Sequence, residues 1–138
     1  MNKIRSSSLL IGKVINQELS DVVDVFPIVA PNGTMGNFAV YKRLSLEVEN
    51  TKDIHNFIEK ADIAITIITD KYDDGLTLAT NVKMYLEHLK GVYRTKKDEE
   101  ININDITLID ASEDWNNDKY LQNLVFTISL YNEPDCFK

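Results

Sequence analysis

The sequence predicts an α+β fold: a two-layer sandwich in which a mainly antiparallel sheet carries two helices on one face. Three observations predict it. Apolar residues recur at helical spacing in two separate stretches and at alternate positions in several others. The links between the strand-like stretches are too short for parallel crossovers, except where the second helix intervenes. The expected order is α-β-β-β-α-β-β in one domain, residues 1–138, with 131–138 as a mobile C-terminal tail.

The first helix is expected over residues 3–20, where Ile4, Ile11, Val14, Ile15 and Leu19 form an apolar stripe. The stretch "VFPIVAPNGTMGNFAVYKR", residues 25–43, follows with two prolines and an Asn-Gly pair inside otherwise strand-like sequence. Pro27 and Pro31 remove ladder donors, so residues 25–30 can only be an edge strand or an extended arm, and Asn32-Gly33 supplies a turn. From Phe38 onward, Val40, Leu44, Leu46 and Val48 share one parity and Tyr41, Arg43, Ser45, Glu47 and Glu49 the other. That is the period of a half-buried strand with the first set inward. The polar stretch "TKDIHNFIEKAD" is longer than a tight hairpin needs. In "ADIAITIITD", Ala61, Ile63, Ile65 and Ile67 line one face while Ala64 and Ile68 partly fill the other, which predicts an interior strand.

The period then changes. Leu76, Ala79, Val82, Leu86 and Leu89 recur at helical spacing, Asp73 and Asp74 sit where the helix dipole favours them, and Gly91 marks the end. Last comes a hairpin, with Ile106 and Leu108 alternating before a polar turn and Leu124, Phe126, Ile128 and Leu130 alternating after it.

Composition excludes several function classes. The chain carries 22 acidic against 15 basic residues, a net charge of -7, which disfavours broad binding to phosphates. The broken apolar stretch at the amino terminus is too short for a membrane span or secretory signal, so no membrane partner is expected. The single cysteine, Cys136, has no disulfide partner and no neighbour held as a base. His88 falls on the second helix without a partner at metal spacing, and His55 lies in a polar stretch. Gly12-Lys13 lacks the upstream glycine of a phosphate loop, and Gly33 with Gly36 lacks dinucleotide-binding spacing. The pairs and triplets Asp73-Asp74, Asp98-Glu99-Glu100 and Glu113-Asp114 lack the alternating oxygens of a calcium loop. The expectation is no catalytic residue, no metal and no cofactor: not an enzyme.

What remains is contact surface. The residues singled out as a subunit or partner interface are Phe26, Pro27, Pro31, Asn32, Gly33 and Met35 in the interrupted stretch, together with Trp115. A proline-protected arm is suited to reach a neighbour, and a large aromatic between Asp114 and Asn116 is unusual unless it packs on something. The competing readings are an irregular surface loop and a local cap over the subunit's own sheet.

The pieces "VFPIVAP", "YKRLSLE", "GVYR" and "DASED" before an aromatic strand, in this order, resemble the tail-completion proteins of long-tailed bacteriophages, the tail terminators or tail-to-head joining proteins. The likeness runs from the first helix to Leu130. It implies an α+β subunit that assembles with itself into a ring, typically a hexamer, which caps the phage tail tube and offers a docking face to the head-tail connector protein. It also implies a virion location at the head-tail junction after assembly in the bacterial host cytoplasm. DNA would cross the ring lumen without specific binding, and six copies at -7 each place about forty negative charges around it. The alternatives are a head-side connector of the neck and, further off, a small ligand-binding module or enzyme.

Overall fold

The computed structural model describes residues 5–6, 8–49, 57–95 and 99–132. The elements are β1 (Arg5–Ser6), a 3₁₀ turn (Ser8–Leu10), α1 (Ile11–Glu18), β2 (Asp24–Pro27), β3 (Phe38–Glu49), β4 (Phe57–Thr69), α2 (Tyr72–Glu87), β5 (Gly91–Arg94), β6 (Glu99–Asn116) and β7 (Lys119–Asn132). The α+β class holds, but the two-layer sandwich does not. The strands form one mixed sheet in the order β1-β6-β7-β4-β3-β2, with β5 added beside β6. This sheet is curled into a half-barrel. Long antiparallel strands coil strongly, so the sheet wraps its core rather than lying flat beneath it.

Pairings β3–β4, β4–β7, β5–β6 and β6–β7 are antiparallel, while β1–β6 and β2–β3 are parallel. The β2–β3 pair explains the interrupted stretch. Four strand residues span about 13 Å, and residues 28–37 carry the chain back over that distance without a helix. Turn chemistry makes the return possible. The Ile28 N–H donates to the Tyr41 carbonyl and the Val29 N–H to the Pro27 carbonyl, each at 2.7 Å. Ile28 has φ 67°, a γ-turn of the rare kind at a β-branched residue. Gly33 (φ 83°) and Gly36 (φ 79°) take further positive angles that only glycine adopts freely.

One buried cluster joins both helices to the sheet: Ile11, Val14, Ile15 and Leu19 from the first helical region, Ala79, Val82 and Leu86 from α2, and Ile63, Ile65, Ile67, Phe126, Ile128 and Leu130 from the strands. The inward face of β4 is as expected, and β4 is interior, between β3 and β7. Four expectations are corrected. The first helix begins only at Ile11, because residues 5–6 form a strand and 8–10 a 3₁₀ turn; Ile4 lies outside the described residues. On β3 the inward residues are Ala39 and Tyr41, not Val40 and Leu44. A bulge between Arg43 and Ser45 shifts the phase, leaving Leu44 51% exposed and returning Leu46 to the core. On α2, Leu76 is exposed and Gly75 buried, since a Cβ at Gly75 would sit 2.9 Å from the Thr69 hydroxyl. The helix start therefore lies too close to the sheet for a side chain there. Finally, the polar turn of the last hairpin is only Asn117 and Asp118, both at positive φ as a two-residue I′ turn requires, and the strands run up to it on both sides.

Part of the polar stretch after β3 is strand, since β4 starts at Phe57; His55 and the rest of residues 50–56 lie outside the described residues. At the other end β7 continues to Asn132, and residues 133–138, with Cys136, also lie outside them.

Candidate assembly surface

Register places Phe38, Ile68, Leu121 and Asp114 in one row across four strands, at the end of the sheet where β3 begins. There Phe38, Ile68 and Leu121, with Asn116, Asn117 and Lys119 of the hairpin turn, line an apolar groove of about 260 Å³. Phe26 of β2 packs edge-on against Phe38, ring centroids 6.1 Å apart at 70°. The base of the interrupted stretch and the hairpin turn thus border a common groove, although they lie some ninety residues apart in the chain.

Of the predicted interface residues, Trp115 lies at this end beside the hairpin turn, while Pro27 pairs with Tyr41, three residues further along β3. Phe26 is half-buried, while Pro27, Pro31, Asn32 and Gly33 are exposed and Met35 is 88% exposed. The Thr34 N–H and hydroxyl both bond the Pro31 carbonyl, at 3.1 and 2.5 Å, so this turn is held in shape although it is solvated. Trp115 meets Tyr120 edge-on at 4.7 Å, and Tyr120 meets Tyr72 of α2 at 5.6 Å. A local cap therefore exists, yet Trp115 keeps 52% of its surface exposed. The Tyr72 hydroxyl and the Gln122 amide both donate to Glu113, at 2.5 and 2.8 Å. These bonds, Gln122 first, hold the Glu113 carboxyl below its ordinary range, and the same contact raises the Tyr72 phenol.

Sequence reasoning missed Ile28 and Val29, 63% and 71% exposed, and the Phe38–Ile68–Leu121 groove itself. The signal for the first two was available, because an Ile-Val pair between Pro27 and Pro31 has no strand to bury it.

The sheet face opposite the helices continues from the Phe38–Ile68–Leu121 row into shorter polar side chains, with Lys42 at one edge. Rows Val40–Thr66–Asn123–Ser112 and Ser45–Asp62–Thr127–Thr107 cross it. The Thr66 hydroxyl donates to Asn123 at 2.9 Å and the Thr127 hydroxyl to Asp62 at 2.7 Å. On the helix side, Glu18, Asp21, Met84, Tyr85, His88 and Tyr93 line an open groove of about 750 Å³. Burial, then the Glu18 carboxylate, pushes the Tyr85 and Tyr93 phenols up and keeps them protonated. The His88 Nδ1–H donates to the Met84 carbonyl at 2.7 Å, which ties the ring to its own helix. Among the described residues no three metal-ligating side chains gather, and no helix is long and apolar enough to cross a membrane.

No protein-family model matches the chain, and no curated protein matches it. Among solved structures it is similar to a chain from the virion of a native gene transfer agent particle, with a TM-score of 0.66 and 17% sequence identity. The likeness covers 91% of this chain and 100% of that one. At that identity the two share a fold.

Proposed function

We propose that the chain is a structural subunit of a phage-like virion: a tail terminator that assembles into a ring of six copies, caps the tail tube and presents a face to the head-tail connector. It works by binding and has no catalytic step. The observation that carries this reading is the likeness to a virion chain over that chain's whole length. The surface agrees with it. Ile28, Val29, Met35 and Trp115 are exposed, and an apolar groove lies open at the hairpin end of the sheet. Exposed apolar groups on an acidic subunit are what a docking face needs.

The experiment is size-exclusion chromatography with light scattering, followed by electron microscopy, on the protein alone and with purified tail tubes. Rings alone or on tube ends support the reading. A monomer at every concentration that leaves tubes uncapped refutes it. A variant with residues 31–36 replaced by a shorter turn is expected to keep its melting behaviour while losing ring or tube binding, because that segment donates no ladder hydrogen bond to the core.

A further inference from the structure

Two long strand flanks lack a neighbouring strand among the described residues. Ile103 pairs with Gly91 of β5 on one side and Leu130 of β7 on the other, and β5 goes no further along β6. Residues 104–116 of β6 therefore have no strand on that flank among the described residues. All side chains of residues 109–118 are exposed, while Gln122, Leu124 and Phe126 on the paired β7 stay buried. At the opposite edge, Tyr41 pairs with Pro27 of β2 and Ile65 of β4, and β2 stops there. Residues 42–49 of β3 are likewise without a strand on their outer flank among the described residues. Edges of this length are templates for another strand unless something blocks or pairs them.

The two flanks complement each other in three respects. Their bulges flank one row of the sheet: the row Arg43–Ile63–Phe126–Leu108 runs across it, with bulged Leu44 just to one side of it and bulged Ile109 just to the other. Both are apolar and about half exposed, 51% and 54%. Next to them, Lys42 and Asp110 end the row Lys42–Ala64–Val125–Asp110. Lys42, Arg43, Asp110 and Asp114 make no ion pair with any described residue. The β6 flank holds Asp105, Asp110, Glu113 and Asp114 with no cation, and Asp105 is already neutralised by Lys90 at 3.6 Å. Direction agrees as well. Three antiparallel steps separate β3 from β6, so the two run oppositely. A copy rotated about an axis along the strands brings its β6 antiparallel to β3.

We infer that a second copy of this chain occupies each flank: residues 104–110 of β6 in one subunit pair with residues 42–49 of β3 in the next, Leu44 packs against Ile109, and Lys42 with Arg43 meets Asp110. The contact is heterologous, which excludes a two-fold dimer and gives a ring where the rotation closes, and the sheet becomes continuous between subunits. The matched bulges set the register. The inference rests on the ring reading above, and its test separates the two.

In a Cys136→Ser background, Leu44→Cys and Ile109→Cys are made in separate chains and treated with a short thiol cross-linker, singly and mixed. Covalent dimers are expected in the mixture and not in either variant alone. Adding Lys42→Glu and Arg43→Glu to the Leu44→Cys chain should lower the dimer yield roughly tenfold. Asp110→Lys in the other chain should restore it. Rings by microscopy without mixed dimers would overturn the edge pairing and leave the ring reading standing. Efficient cross-linking of Leu44→Cys alone would mean a two-fold contact and also overturn it. Absence of any assembly would end both.

Discussion

Gly12→Ala puts the packing of α1 against the sheet to a quantitative test. A Cβ at Gly12 would lie 2.5 Å from Tyr41 Cε1, 2.9 Å from Cζ and 3.0 Å from the hydroxyl oxygen. Carbon atoms pack at about 3.5 to 4.0 Å, so helix and ring must separate by about 1 Å. Neither moves freely. Tyr41 is 5% exposed on β3, and Ile11, Val14 and Ile15 hold the helix at 0 to 1% exposure. Overpacking of this kind costs about 1 to 3 kcal/mol. Replacing glycine inside a helix returns at most about 1 kcal/mol. The net expectation is a loss of about 0.5 to 2 kcal/mol, read as a lower urea midpoint with an unchanged slope. In a Tyr41→Ala background the same change is expected to be neutral or stabilising, since the obstacle is gone. Gly12→Ala alone matching or exceeding the parent in stability would refute the argument.

Three further outcomes are expected. Ile65→Ala and Leu86→Ala, at positions with no exposed surface, should each cost about 2 to 5 kcal/mol in denaturant melts. Burial pushes the Tyr41 phenol up to about 12, against a smaller opposing pull from Arg43. The folded state therefore holds this proton after the unfolded chain has lost it near pH 10. Stability attributable to Tyr41 should be flat below that pH and fall by about 1 to 2 kcal/mol as pH rises towards 12, a slope that Tyr41→Phe removes. Ile28→Gly relieves a positive φ that costs a β-branched residue about 1 to 2 kcal/mol, partly offset by glycine's greater freedom when unfolded. It should raise the melting temperature of the monomer slightly while weakening assembly, measured by light scattering; a drop in both would show that the turn supports the fold alone.

Legibility in the sequence followed how far local pattern reflects tertiary surroundings. β4 was readable because one face meets the core along its whole length, so alternating Ala61, Ile63, Ile65 and Ile67 report burial directly. The phase of β3 was not, because a bulge inverts parity midway and leaves no mark in composition. The distal half of β6 was read as a turn for a related reason: "IDASEDWNN" has no apolar alternation, since the side chains of residues 109–118 stay exposed. Two-residue β1 and four-residue β5 are too short to show a period. Parallel pairing of β2 with β3 depends on where a solvated loop returns the chain. The loop itself was found through its prolines and glycines. The groove was hidden because Phe38, Ile68 and Leu121 come from three strands and meet only through register.

The position of β4 between β3 and β7 also governs the order in which the molecule can form. The β3–β4 and β6–β7 hairpins are local in sequence, the second nucleated by a two-residue turn, and each closes on the microsecond scale of such units. Their junction is not local: Thr69 must find Tyr120, and Phe57 must find Asn132. On the ribosome the segment from residue 70 to 132 takes roughly 3 to 13 s to emerge. Throughout that interval the apolar face of β4 and its outer flank wait unpaired, with Ile63, Ile65 and Ile67 uncovered. The nascent chain is thus most prone to self-association before its last strand arrives, and slower translation across β6 and β7 should lengthen that exposure.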